Sequence, residues 1–322
     1  MDTTTTRNTR RQLLGVATAL GVAATLAACG SSSGGAAASG GGAAGAGGAK
    51  AAPADFTGKI SVDSAARKLL PQSVRKSGKL ILGTTQVTGT AGLPHAGIVD
   101  GKEAGLDLDI RAAVAKKLGI SWQVETGTFQ TIIPGVQSGK YQVGQGNFGV
   151  TKEREKVVDF ATYLNDGQAF VGSKDVQVKR VKSLLDICGL KVATTSGTTF
   201  QKLLTSFAPK CAAAGKKPYH VQYFSDTAPI YLGLQNGKVD VFFGPTLSQK
   251  VVTQKIPGTR FLGQITQTPV GFVTARKSPV ASAIQAAVND LIKDGTYGKI
   301  FAKWKVASSV IKQSQLNPPA TF

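Results

Sequence analysis

From residue 59 onward, short apolar runs alternate with helical stretches, and this alternation limits the chain to few folds. Strands that alternate with helices predict parallel sheets covered by helices on both faces. In open sheets of this kind, ligands bind beyond the carboxyl ends of the strands, so we expect the functional residues in the loops there. The pattern predicts strands at 79–83, 122–124, 141–143, 190–193, 221–224 and 239–243, and helices at 108–118, 132–136, 200–207, 230–235, 280–293 and 297–303.

Residues 1–28 have the pattern of an export signal. A basic segment with three arginines precedes an apolar run at 13–27, which is shorter than the about 20 residues that span a bilayer. Leu26-Ala27-Ala28-Cys29 is similar to the lipobox of bacterial lipoproteins, in which the cysteine carries the lipid. The alternative is an ordinary cleavage site followed by an accidental cysteine.

Two further features concern export and anchoring. The segment 9–14, Thr-Arg-Arg-Gln-Leu-Leu, resembles a twin-arginine signal, although an ordinary basic segment of the general secretory route fits equally well. Residues 29–58 are mostly Gly, Ala and Ser, a composition that predicts a flexible tether. We therefore expect an extracytoplasmic protein that is held at the cell membrane by a lipid on Cys29.

The formal net charge of +20 raises the question of a polyanionic partner. Such a charge could serve nucleic acid, anionic lipid or an acidic cell-wall polymer. The lysines and arginines are dispersed, however, and no dense basic run is interleaved with aromatic residues. We expect a cationic solvated surface and no nucleic-acid partner.

The cysteines and histidines exclude several chemistries. If Cys29 carries a lipid, Cys188 and Cys211 remain, and in an exported protein we expect a disulfide in preference to two free buried thiols. His95 and His220 are the only histidines, and no Cys/His spacing suits a metal. We therefore predict no metal, no cofactor and no Ser-His-Asp type of enzyme.

Two weaker motifs have simpler explanations. The segment 144–149, Gly-Gln-Gly-Asn-Phe-Gly, matches the dinucleotide-binding pattern, but the strand predicted before it is short and polar, so we do not expect a nucleotide. Asp107 and Asp109 could be paired carboxylates. At the start of a helix, Asp109 is more simply a cap and Asp107 a loop acid.

A set of segments carries a family resemblance by its order and spacing. Together they resemble the type-2 solute-binding proteins of ABC importers, in the polar amino-acid-binding group (bacterial solute-binding protein family 3). The segments are Gly-Leu-Asp-Leu-Asp at 105–109, Ile-Pro-Gly-Val-Gln-Ser-Gly-Lys at 133–140, Thr-Lys-Glu-Arg-Glu-Lys-Val-Val-Asp-Phe at 151–160, Gly-Leu-Lys-Val at 189–192, Ser-Gly-Thr-Thr at 196–199, Asn-Gly-Lys-Val-Asp at 236–240, Asp-Gly-Thr-Tyr at 294–297 and Lys-Trp at 303–304.

The resemblance implies a two-lobed α/β fold of the type-2 periplasmic-binding-protein kind. Each lobe would hold a mostly parallel sheet flanked by helices, and two crossing strands would join the lobes. Lobe 1 would comprise 75–166 and 268–316, and lobe 2 would comprise 167–267 with both Cys188 and Cys211. The resemblance also implies a monomer that delivers a small carboxylate-bearing solute to ABC permease subunits.

The resemblance also places a binding site. Arg154 would hold the solute carboxylate with its planar guanidinium, although an ion pair with Glu153 or Glu155 is the alternative. Donors from both lobes would complete the anion site, those of the second lobe at a helix start that suits an anion. The donors would be Gly149 and Thr151 in lobe 1 and Thr198 and Thr199 in lobe 2. The cleft lining would be Phe129, Asn147, Thr85 and Gln86. The alternative for Phe129 is that it is only a core residue.

The chain departs from the family at the acidic residue that pairs with the solute's α-ammonium. Pro245 stands at that position, within Gly244-Pro245-Thr246, and no aromatic lid occurs in 84–92. The solute either lacks a free α-amine, or another acid such as Asp226 or Asp166 takes the role. We expect a carboxylate that is not a standard α-amino acid.

Two other functions compete with transport. Some exported dehydratases resemble this fold and use a cleft acid on a prephenate-like substrate, a function that Glu103 or Asp226 in the cleft would favour. A lipoprotein that reports ligand binding to a membrane receptor is the other.

Overall fold

The computed structural model describes residues 59–86 and 89–321. The predicted signal peptide, the tether and Cys29 lie outside the described residues. Within the described residues, no helix is both long and apolar enough to cross a membrane.

Eight of the strands form one continuous mixed sheet, in the order β4-β1-β5-β10-β6-β9-β7-β8. Strands β4, β1 and β5 run parallel at one end, and β9, β7 and β8 run parallel at the other. Strands β2 and β3 form a separate hairpin. The bounds are β1 Lys79–Thr85, β2 Gly97–Val99, β3 Lys102–Ala104, β4 Ser121–Gly127, β5 Val143–Gly149, β6 Val158–Ser173, β7 Lys191–Thr195, β8 His220–Phe224, β9 Val241–Pro245 and β10 Thr259–Ala275.

The helices flank this sheet, and those that the sequence predicts all form, each one to seven residues longer than its apolar pattern. Four short helices were not predicted: α1, α2, α5 and α8. The bounds are α1 Ser64–Lys68, α2 Gln72–Ser77, α3 Leu106–Leu118, α4 Phe129–Gln137, α5 Lys152–Glu155, α6 Thr199–Ala213, α7 Ala228–Gln235, α8 Thr246–Thr253, α9 Pro279–Lys293 and α10 Thr296–Lys303.

Two long antiparallel strands, β6 and β10, cross the molecule from one half to the other. They pair from Val158 with Ala275 to Ser173 with Thr259, with three irregularities in register. One hydrophobic core forms on the β1 side, around residues such as Leu82, and a second forms on the β9 side, where Phe170 stacks on Phe243 at 4.4 Å. This is the two-lobed α/β fold that the sequence predicts, and the exact lobe boundaries stay a prediction.

Three strand predictions were wrong in their bounds. The strand predicted at 190–193 begins at Lys191 and ends at Thr195. The strand predicted at 141–143 begins at Val143 and continues to Gly149, so the dinucleotide-like segment is a strand and not a phosphate-binding turn. Its Gly, Gln and Asn residues have low strand propensity, which burial overrides here. The strand predicted at 239–243 begins at Val241 and ends at Pro245, so Pro245 is the last strand residue and precedes α8.

The prediction that Asp109 caps a helix was wrong. Asp109 lies inside the first turn of α3, and its Oδ2 accepts from Lys303 Nζ and from Trp304 Nε1, both at 2.7 Å. Two of the segments behind the family resemblance are therefore in contact, since this carboxylate fixes the end of α10 against α3. The prediction that Asp107 is a loop acid was also wrong, since Asp107 lies in the first turn of α3. It is buried and lines the candidate site.

The predicted disulfide between Cys188 and Cys211 is confirmed. It joins the end of a short 3-10 helix over Leu184–Ile187 to α6, and it closes a loop with a sequence separation of 23 residues. Such a crosslink stabilises the fold mainly by restricting the unfolded chain.

We expect Cys188→Ser/Cys211→Ser to lower the free energy of unfolding by about 2–4 kcal/mol, as for a loop of this length. Urea denaturation of the oxidised protein and the double variant measures the difference. The reduced wild-type protein is the matched control, and it should lose a similar amount. A double variant as stable as the oxidised protein would show that the crosslink contributes nothing.

Candidate functional site

A cleft of about 560 Å³ lies between the two halves, at the carboxyl ends of β1, β5 and β7. This is the edge of the sheet at which the sequence places the functional loops. All of the predicted solute-binding residues except Thr151 line it: Arg154, Thr198, Thr199, Gly149, Phe129, Asn147, Thr85, Gln86 and Pro245.

Arg154 lies in the cleft, where its charge is not paired with any carboxylate of the described residues. Its Nη1 donates to the carbonyl oxygen of Gly149 at 3.0 Å, and its Cζ lies 5.5 Å from the ring centre of Phe129 and 5.7 Å from that of Phe148. Burial lowers the pKa of Arg154 to about 10, so the group is still a cation at neutral pH. Among the described residues no carboxylate lies within 4.0 Å of it, which excludes the alternative ion pair with Glu153 or Glu155.

Phe129 serves the cleft and the core together. Its ring packs on Phe148 at 4.8 Å between ring centres and borders a buried cluster that includes Ile132 and Val136. The same ring lines the cleft beside Arg154. Phe129 therefore packs against the core and lines the cleft, and its contact with a solute stays a prediction.

The start of α6 contributes backbone donors from the other half. The Thr198 hydroxyl donates to the Thr195 carbonyl at 2.6 Å and accepts from Gln201 N at 3.3 Å, so it caps the helix. Among the described residues, no acceptor pairs with the backbone N–H groups of Thr199 and Phe200. Free N–H groups at a helix start favour an anion.

Thr151 does not reach the cleft. It is buried, and its hydroxyl accepts from the backbone N–H of Arg154 at 3.2 Å, which caps the short helix α5. Its role is therefore to fix the backbone that carries Arg154. A threonine three residues before the arginine is also the ordinary signal for a helix cap.

The two halves touch each other beside the cleft. Lys202 of α6 forms an ion pair with Glu153 of α5. At the turn before α6, Gly197 has a φ of +73°, and a Cβ there would lie 2.4 Å from Cγ of Gln130. This contact and this backbone conformation both require glycine.

A buried cluster that the sequence did not reveal lies at the floor of the cleft. His95 Nε2 lies 3.0 Å from Asp166 Oδ2, and His95 Nδ1 lies 3.4 Å from Asp107 Oδ1, which also accepts from the Tyr163 hydroxyl at 2.9 Å. Both ring nitrogens face carboxylate oxygens, which only accept, so the geometry calls for the imidazolium. Burial alone would lower the pKa of His95, but the Asp107 and Asp166 carboxylates raise it to about 10.

The carboxylate of Asp166 is fully occupied. One oxygen accepts from the backbone N–H groups of Gly167, at 2.7 Å, and Leu247, at 3.1 Å. The other oxygen accepts from His95 and from Asn147 Nδ2, the latter at 2.9 Å. Asp166 therefore ties the crossing strand β6 to the loop before β2, to β5 and to the start of α8.

The remaining charged residues of the cleft are Arg111 and Asp226. Arg111 is half-buried one turn after Asp107 on α3, and burial lowers its pKa while Asp107 and Glu103 oppose that shift. Asp226 is exposed and accepts from Ala228 N at 3.0 Å. Glu103, the other acid considered for catalysis, is exposed on β3 and does not line the cleft.

The raised pKa of His95 predicts a pH dependence of stability. The folded protein keeps a proton up to a pH of about 10 that an ordinary histidine releases near its reference value of 6.5. The resulting stability should be complete below about 6.5 and should be lost as the pH rises to about 10, by at most about 1.4 kcal/mol per pH unit. Urea denaturation of wild type and of His95→Leu measures it: the stability difference between them should shrink over this interval, and a difference independent of pH would contradict the assignment.

The fold and the cleft together define a two-lobed α/β binding protein. Residues 88–307 match the family of bacterial extracellular solute-binding proteins, family 3. The protein belongs to this family.

Curated and solved relatives agree with this assignment. The arginine-binding periplasmic protein of Mannheimia haemolytica is 26% identical over 212 residues, which cover 63% of this chain and 83% of the relative. An ancestral arginine-binding protein bound to arginine is 31% identical with a TM-score of 0.62, and covers 70% of this chain and 98% of its own. The ancestral amino acid-binding protein AncCDT-1, a precursor of cyclohexadienyl dehydratase, is 27% identical with a TM-score of 0.61, and covers 74% of this chain and 98% of its own.

Proposed function

We propose that this protein captures a small carboxylate-bearing solute, an amino acid or a close analogue, and delivers it to the permease of an ABC importer. The observation that carries the proposal is the arrangement of donors around one cleft. The unpaired guanidinium of Arg154 comes from one half, and the unpaired N–H groups at the start of α6 come from the other. An anion that binds both halves at once stabilises their closure, which makes capture conformational.

A thermal-shift screen of the purified protein tests this function. The probes are amino acids, their 2-hydroxy and N-acyl analogues and small organic acids, each at millimolar concentration, where even a micromolar ligand should raise the melting temperature. For each acid that stabilises the protein, the corresponding primary amide is the matched control, because it keeps the size and loses the charge. Amides that stabilise as well as their acids would contradict the carboxylate site.

The proposal includes no chemistry of the protein's own. Of the carboxylates at the cleft, Asp107 and Asp166 are held by His95, and Asp226 is exposed. The likeness to a dehydratase precursor makes a cyclohexadienyl-dehydratase-like enzyme the second candidate. Incubation with prephenate or arogenate, followed by aromatic absorbance, separates the two: formation of the aromatic product would establish the enzyme. A ligand-sensing lipoprotein would show no activity either, and co-purification with a permease would distinguish transport from sensing.

The lipid anchor on Cys29 is proposed from the lipobox pattern. We expect Cys29→Ala to move the protein from the membrane fraction to the soluble extracytoplasmic fraction, since no second lipid site is proposed. Immunoblots of the two fractions measure this. Ala28→Gly, which keeps the small residue before the cysteine, is the control and should stay with the membrane, whereas membrane retention of Cys29→Ala would exclude the anchor.

A further inference from the structure

Several buried polar atoms at the cleft have no partner among the residues that the structure describes. The side-chain oxygens of Gln168, Thr268, Tyr231 and Asn147 are without a hydrogen bond, and all four residues line the cleft. Gln168 and Tyr231 are 3% exposed and Thr268 is 5% exposed. A buried polar atom without a partner is unfavourable, so the solute is the natural source of the missing hydrogen bonds.

These unpartnered groups are all neutral. Gln168 and Thr268 lie on the crossing strands, Tyr231 lies on α7 in the second half, and Asn147 lies on β5 in the first half. Gln168 of β6 is opposite Pro245 of β9 in the sheet register. Thr268 of β10 is opposite Asp166 of β6. The floor of the cleft thus offers amide and hydroxyl groups at the point where β6, β9 and β10 meet.

In the described part of the cleft interior, both carboxylates already have partners. Asp166 already accepts four N–H groups. Asp107 accepts from Tyr163 and faces the cationic ring of His95. A buried ammonium without a carboxylate partner is strongly unfavourable, and an ammonium at either of these two acids would compete with His95 for its charge.

The unpaired charges of the cleft interior are positive. Among the described residues, neither Arg154 nor Arg111 has a carboxylate within 4.0 Å. Asp226 is the remaining acid, and it is exposed at the cleft. The electrostatic balance of the interior therefore favours an anion over a zwitterion.

We propose that the cleft selects small organic acids that carry no charged amine, such as N-acyl amino acids and 2-hydroxy acids. The carboxylate lies against Arg154 and the start of α6, and the neutral amide or hydroxyl lies against Gln168, Thr268 and Tyr231. This inference rests on the proposed function, because it names the class of solute that the same cleft takes.

Calorimetric titration at pH 7 with matched sets of probes tests the inference. Each set holds an amino acid, its 2-hydroxy analogue of the same size and its N-acetyl derivative, with side chains of glutamine, leucine and arginine. In any set that binds, we expect the 2-hydroxy or N-acetyl member to bind at least tenfold tighter than the amino acid. Equal or tighter binding of the free amino acid would overturn the inference and leave the proposed function standing, whereas binding by no member of any set would overturn both.

A gain-of-function variant gives an independent test. Pro245 precedes α8 with φ −66° and ψ 132°, a conformation that aspartate adopts readily before a helix. We expect Pro245→Asp to strengthen binding of the free amino acid at least tenfold over wild type, because it places a carboxylate beside Gln168. Pro245→Asn is the neutral matched control and should not do so.

Gln168→Glu is a second test that can be used if Pro245→Asp fails to fold. It places a carboxylate at the position of the unpartnered amide oxygen. It should also gain affinity for the amino acid over its 2-hydroxy analogue. Folded Pro245→Asp or Gln168→Glu protein without such a gain would overturn the inference.

Discussion

Replacing His95 with leucine is expected to lower the free energy of unfolding by about 3–5 kcal/mol, the usual cost of removing one partner from a buried ionic cluster. The imidazolium lies between Asp107 and Asp166, at 3.4 Å and 3.0 Å. Leucine is similar in volume, so packing alone predicts a small change. The loss arises because the two buried carboxylates would remain without the cation that compensates their charge.

Urea denaturation at pH 6 measures this loss, and the other histidine supplies a matched control. His220 is exposed at the start of β8, so His220→Leu should change the stability by less than about 0.5 kcal/mol. His95→Gln keeps one donor and should recover part of the loss. A His95→Leu variant as stable as wild type would show that the cluster is not an ionic one.

The sequence predicted those helices and strands whose apolar residues recur on the face that the fold buries. The apolar alternation placed β1 and the periodic apolar residues placed α3 and α9, because burial on one face is written directly into residue order. It failed for β5, whose residues 143–149 are rich in glycine and polar side chains. That strand forms because β1 and β10 pair with it on both sides, and such long-range pairing leaves no local signal.

The sequence predicted those parts of the candidate site whose residues belong to one continuous motif. It missed the part that is formed by residues distant in the sequence. Arg154 and Thr198 stand in continuous segments that resemble the family, and both line the cleft. His95 is 12 positions from Asp107 and 71 positions from Asp166 in the sequence. Only the fold brings the three residues together. His95 stands in no recognisable motif, so the sequence alone does not predict a buried imidazolium there.

The contribution of Thr151 to solute binding stays a prediction. The resemblance grouped it with Arg154 as a solute donor, but its hydroxyl caps α5 and points to the backbone N–H of Arg154. A threonine side chain can serve a helix start or a ligand, and sequence position alone does not separate these uses. The residue acts on the candidate site in either case, since it fixes the backbone of Arg154.

Replacing Arg154 with alanine is expected to weaken binding of the cognate carboxylate by about 2–5 kcal/mol, the usual cost of truncating one partner of a desolvated charge pair. This corresponds to a loss of at least about thirtyfold in affinity. The effect is large because the cleft offers no second cation at that position: the guanidinium is held by the Gly149 carbonyl and lies over Phe129 and Phe148. The N–H groups at the start of α6 would remain, so some binding of the anion should persist.

Calorimetric titration with the acid that stabilises the protein most in the thermal-shift screen measures the loss of affinity. Two further variants are compared with Arg154→Ala. Arg154→Lys keeps the charge without the planar pair of donors, so its affinity should fall between those of wild type and alanine. Arg180 is an exposed arginine that does not line the cleft, and Arg180→Ala should bind as wild type does. If Arg154→Ala and Arg180→Ala bind equally well, the carboxylate lies elsewhere, and Arg111 becomes the one remaining guanidinium of the described cleft that could hold it.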